Sequence, residues 1–143
     1  MKTKNEILND FTQMNCCQTT LNAYAKAFDL DMSSLLKITA GFGGGLNTGE
    51  VCGAVSGIVM ALGYKHASSD LTDEVSMLKT KEMTKKFIDE FQAVNGAIRC
   101  EDLLGHNPST EKGMKAINEE GLKARVCPKA VYSAVEISKK YMT

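Results

Sequence analysis

The residues of this chain best suited to chemistry are its five cysteines: Cys16, Cys17, Cys52, Cys100 and Cys127. A thiolate is both a nucleophile and a soft metal ligand, so thiols that meet can exchange disulfides, hold zinc or hold an iron–sulfur cluster. Local sequence places four of them near helix starts. Cys16 follows Asn15, a good N-cap. Cys127 precedes Pro128, and proline favours the first helical position, so Cys127 reads as an N-cap. Cys100 precedes Glu-Asp-Leu-Leu-Gly, and acidic residues suit a first turn, so it also reads as an N-cap. Cys52 falls in the second turn of a helix that Asn47 and Glu50 would open as a capping box. Free N–H groups and the positive dipole end there stabilise a thiolate, so such thiols are expected to titrate below about 8.5.

The adjacent pair divides by helical phase. Cys17 shares its stripe with Leu21, Tyr24 and Phe28 and is expected to pack in the core. Cys16 shares its stripe with Thr20, Ala23 and Ala27, which leaves space, so Cys16 is the functional candidate.

The elements that must bring these thiols together read as helices. Sustained alternation is absent, there are only two prolines, and Ala, Lys, Glu, Met and Leu abound. The expected helices cover Lys4–Met14, Cys16–Phe28, a short segment from Ser33 or Ser34 to Thr39, Asn47 to Leu62 stopped by Gly63, and Val75–Val94. Cys100–Leu104, a short piece with Met114 and Ile117, and Cys127 to Lys140 complete them. Tyr64–Glu74 and Gly41–Gly45 read as loops. The expected fold is an all-α compact bundle of about five to seven helices, as one domain over residues 1–143. Gly43, Gly44, Gly45 and Gly53 are candidate cofactor-binding positions, where backbone N–H groups could approach sulfur. Gly53, Gly57 and Ala61 form a small-residue stripe that admits a neighbouring helix. GFGGGL is not a phosphate loop: it lacks the GxGxxG spacing, a following Lys-Ser/Thr and a preceding strand.

Composition narrows the partners. Lys+Arg and Asp+Glu balance at 17 each, tryptophan is absent and aromatics are 6%, which argues against nucleic acid. The N-terminus lacks a secretory apolar segment and no run is long enough to span a bilayer, so the expectation is a cytoplasmic protein without membrane contact. In such a compartment permanent disulfides are not expected. His66 and His106 read as solvated loop residues, Arg99 as exposed, and the methionines as packing. No acid pair, Ser–His arrangement or HExxH supports hydrolysis.

As a set, NCCQTTL, GFGGG, CGAVSG, RCEDLLG and Cys127-Pro128 resemble the C_GCAxxG_C_C family, from about Asn15 to Ile137. The family's four cysteines fall on Cys16, Cys52, Cys100 and Cys127, and it usually has a small residue where this chain has Cys17. The resemblance implies a redox-active protein, with a helical domain similar to part of the split-Soret cytochromes. Covalent haem is not expected, since C-x-x-C-H is missing.

Three functions follow. The first is an electron-transfer module in which Cys16, Cys52, Cys100 and Cys127 hold an iron–sulfur cluster, [2Fe–2S] being favoured. Their separations of 36, 48 and 27 residues match no compact ferredoxin pattern, so tertiary folding must assemble such a site. The second is a thiol–disulfide oxidoreductase or redox sensor using the same cysteines, without a C-x-x-C motif. The third is a structural zinc site. A redox partner protein is expected, there is room for a homodimer, and whether the chain is an enzyme stays open.

Overall fold

In a computed structural model describing residues Met1–Thr143, eight α-helices form the chain, and its sole β feature is an isolated antiparallel bridge, Val51 to Arg99. Short polar side chains set most helix starts. Thr3 and Asn15 make capping boxes with Glu6 and Gln18, opening α1 (Lys4–Phe11) and α2 (Cys16–Ala25). Asp31 caps α3 (Met32–Ile38) by accepting from the Ser34 N–H, so neither Ser33 nor Ser34 is the cap. Asp73 caps α5 (Glu74–Asn95), which Gly96 ends in the left-handed conformation. Between them α4 spans Gly53–His66, and after them come α6 (Cys100–Leu104), α7 (Glu111–Glu120) and α8 (Leu122–Ser138).

Several sequence expectations change. The Asn47–Glu50 capping box does not form: Asn47 is left-handed (φ 56°), and α4 begins at Gly53 with Cys52 as its N-cap. Gly63 does not stop α4, which continues through Tyr64 and Lys65 to His66, whose ring meets the Tyr141 carbonyl at 2.6 Å. Cys100 is the first residue of α6, after Arg99 as N-cap. The largest change is in α8, which starts at Leu122 directly after the left-handed Gly121, leaving Cys127 and Pro128 inside the helix. The count is eight helices rather than five to seven.

The bundle is centred on α4 and α8. α4 packs on α2, α5 and α8, and α8 also meets α1, α2, α6 and α7. Phe87 and Phe91 of α5, Ile58 and Leu62 of α4, and Val131 and Val135 of α8 are fully buried between them. At one end of α8 a smaller core gathers Cys100, Leu104 and Ile117 against Leu122, Val126 and Cys127. No helix is long and apolar enough to cross a membrane.

One buried polar pair ties the two ends of the chain. Ser138 donates to the Val135 carbonyl at 2.7 Å, so the Tyr24 hydroxyl, 2.6 Å away, donates to Ser138. Tyr24→Phe leaves the Ser138 oxygen without that donor and is expected to cost about 1 kcal/mol in urea denaturation.

Candidate functional site

Local chemistry places each thiol. Asn15 opens α2 by accepting from the Gln18 N–H at 2.8 Å, which sets Cys16 on the first turn. The Asn15 amide also donates to the Thr39 and Ala40 carbonyls, both at 3.2 Å, and so fixes the start of the glycine segment against the same turn. Cys52 and Cys100 are set by a short clamp where two extended segments meet at the Val51–Arg99 bridge. The Cys52 N–H donates to the Ile98 carbonyl and the Cys100 N–H to the Glu50 carbonyl, each at 2.7 Å. Arg99 braces this clamp from outside through both Glu50 carboxylate oxygens at 3.2 Å and Glu101 at 3.1 Å. These side chains are exposed, so Arg99→Met is expected to cost under about 1 kcal/mol by urea denaturation. Cys127 comes from the interior of α8.

The small-residue stripe works as the sequence implies. α4 lies against α2 so closely that a Cβ at position 53 would sit 3.0 Å from the Cys17 backbone nitrogen. The Thr20 hydroxyl donates to the Ala54 carbonyl at 3.1 Å across this contact. The close approach brings the N-terminus of α2 to that of α4, and thus Cys16 to Cys52.

The thiols meet around Cys16. Its thiol lies beside those of both Cys127 and Cys52. These two neighbouring thiols push the Cys16 thiol well above the ordinary range, and burial adds to this. Those two neighbours shift down: Cys52 through the Cys16 thiol, helped by the Ala54 and Val55 N–H groups at the α4 N-terminus, and Cys127 through the Cys16 thiol. Cys100 lies near Cys52 and Cys127, and burial first, then their charge, pushes it up to about 12. A uniform lowering by helix N-termini therefore does not hold. α6 has five residues, so its dipole is weak, and desolvation of Cys100 wins. For Cys127, inside a helix, a neighbouring thiol and not a helix end lowers the value. Cys17 is fully buried and is pushed up to about 12 by burial, in keeping with packing.

Cys16, Cys100 and Cys127 line a cavity of about 580 Å³, while Cys52 lies behind them. Gly43 and Gly44 line the same cavity. Gly45 is turned toward Glu50, where a Cβ would lie 2.3 Å from the backbone oxygen, and Gly53 faces α2. From Gly44 to Asn47 four consecutive residues are left-handed, including the non-glycine Leu46 (φ 61°) and Asn47. Sequence reading missed Asn47 and Lys123 as cavity residues. For Lys123 the signal was present: it precedes Cys127 by four residues, hence lies on one helix face with it, once α8 is started after Gly121.

Four thiols from separate helices are the donor set of an iron–sulfur cluster. Yet no three or more His, Cys, Asp or Glu side chains are grouped so as to hold a metal ion. The zinc and iron–sulfur expectations therefore draw no support from the ligand geometry.

The pattern of the C_GCAxxG_C_C family, described as "Putative redox-active protein (C_GCAxxG_C_C)", matches residues 14–141. No curated protein and no solved structure matches the chain.

Proposed function

The chain belongs to the C_GCAxxG_C_C family, and from that premise we propose that its cysteine cluster is a thiol–disulfide redox centre in which Cys16 forms a disulfide with Cys127 or Cys52. One observation carries the reading: Cys16 and Cys127 line one cavity, and Cys52 is brought beside Cys16 where α4 packs on α2, so three thiols are neighbours. Low-titrating thiols are the nucleophiles of disulfide exchange, and a thiol in contact is placed to resolve the mixed disulfide. Oxidation removes two electrons and two protons from a pair of thiols, and an acceptor disulfide takes up both.

Cys100 lines the cavity with Cys16 and Cys127, and it lies near Cys52. This favours a second reading, in which Cys16, Cys52, Cys100 and Cys127 hold an iron–sulfur cluster and the centre carries single electrons. The two separate in one experiment. Protein purified without oxygen is assayed for iron, acid-labile sulfide and free thiols, then oxidised by a disulfide buffer and assayed for thiols again. Loss of one pair of thiols per chain, without iron or sulfide, is the expected result. Iron and sulfide in matching amounts, both lost in Cys52→Ser, would replace the first reading with the second.

A further inference from the structure

The cavity beside the thiols is lined by one charged side chain, Lys123. Its volume, about 580 Å³, suits a small molecule and not a folded protein segment. Phe11, Met14, Leu104 and Met114 supply apolar wall. Lys123 stands one helical turn before Cys127, so its ammonium and the thiol share a face of α8. None of the chain's ion pairs takes up Lys123. A cation without a counter-ion in an otherwise uncharged pocket draws an anionic guest.

The opposite rim carries strain. Leu46 holds left-handed backbone, which an L-residue with a bulky side chain adopts only under strain, and Asn47 continues it. Strain of this kind gathers at ligand clamps, and Asn47 lines the cavity. Among the thiols, Cys52 does not line the pocket, and Cys100 is only 9% exposed. Cys127 is half-buried, opens on the pocket and lies beside Lys123.

We propose that this cavity binds a low-molecular-mass disulfide bearing a carboxylate, that Lys123 holds the carboxylate, and that Cys127 is the thiol that attacks it. The proposal rests on the thiol–disulfide reading above. The Cys127 thiolate attacks one sulfur of the bound disulfide. A Cys127–ligand S–S bond forms as the ligand's own S–S bond breaks, and one small thiolate leaves. Cys16 then gives its proton to that thiolate and attacks the Cys127 sulfur, which releases the second small thiolate. The Cys16–Cys127 pair is oxidised by two electrons, and the small disulfide is reduced to one thiol and one thiolate.

The test uses the reduced full chain and three disulfides of similar length: dithiodipropionate (anionic), bis(2-hydroxyethyl) disulfide (neutral) and cystamine (cationic). Rates are read by stopped flow at low salt. The anionic reagent is expected to react about tenfold faster than the neutral one, as electrostatic attraction to a single site allows. That ratio should fall to near one in Lys123→Gln, and Lys123→Glu should turn the preference to cystamine. Comparing reagents within each variant cancels any change in intrinsic thiol reactivity. In Cys16→Ser the ligand half should stay attached to Cys127, read by peptide mass. A ratio indifferent to residue 123, or an adduct on another cysteine, overturns the proposal. Should the internal disulfide form equally fast with all three reagents, the anion site fails while the thiol–disulfide reading stands. If none of them forms it, both fall.

Discussion

Gly57→Ala is expected to destabilise the protein by about 3 kcal/mol, because overpacking a closed contact costs roughly 1–3 and a buried hydrogen bond is lost with it. The new Cβ would lie 2.0 Å from the Thr20 hydroxyl oxygen and 2.6 Å from the Cys17 carbonyl oxygen. The hydroxyl could rotate away, at the loss of its bond to Ala54, but the carbonyl belongs to the α2 backbone. Either α2 and α4 separate or the substitution is not accommodated. For a chain of this length the melting temperature should drop by on the order of 10 °C. Gly63→Ala, in the same helix with nothing within 4 Å of the new Cβ, is the control. It should be neutral or stabilising by up to about 1 kcal/mol, as alanine is in a helix interior. Equal melting of the two variants would show that the α2–α4 contact does not set the spacing of Cys16 and Cys52.

Cys16→Ala should silence the thiols it leaves behind. Removing the Cys16 thiol takes away the neighbour that holds the Cys127 and Cys52 thiols down, so both should titrate higher. Less thiolate is then present at neutral pH, so alkylation of Cys127 should slow by about tenfold, in line with loss of one hydrogen bond to a charged group. The pH profile of alkylation should move to higher pH, and no disulfide should form under oxidising buffer. Unchanged alkylation and an intact disulfide between other cysteines would remove Cys16 from the centre. A serine at this position keeps a hydroxyl donor and should restore part of the alkylation rate but none of the disulfide.

Much of this arrangement was legible in local chemistry. Asn15 with Gln18 is a capping box readable from four residues, and it places Cys16 and sends Cys17 inward. The stripe of Gly53, Gly57 and Ala61 told of a close helix neighbour, though not which. What escaped reading depends on distant partners. Asn47 and Glu50 have the spacing of a capping box, but Arg99, far along the chain, takes the Glu50 carboxylate, and the segment turns left-handed instead. Pro128 carries the signature of a first turn. Here the left-handed Gly121 opens the helix six residues before Cys127, and the proline sits inside, with α1 packed on α8. That displacement hid the pairing of Lys123 with Cys127. Dipole reasoning also gave one direction for four thiols. Desolvation at Cys100 and the two neighbouring thiols at Cys16 reverse it, and both depend on which groups the fold brings near.

The most direct test of a centre built on Cys16 is its disulfide map. Reduced protein, prepared without oxygen, is equilibrated in thiol–disulfide buffers of increasing oxidising strength. Free thiols are trapped, and the linked peptides are identified by mass spectrometry. The account predicts that the first disulfide to appear contains Cys16, joined to Cys127 or Cys52. Oxidation that starts at a pair excluding Cys16 would contradict it.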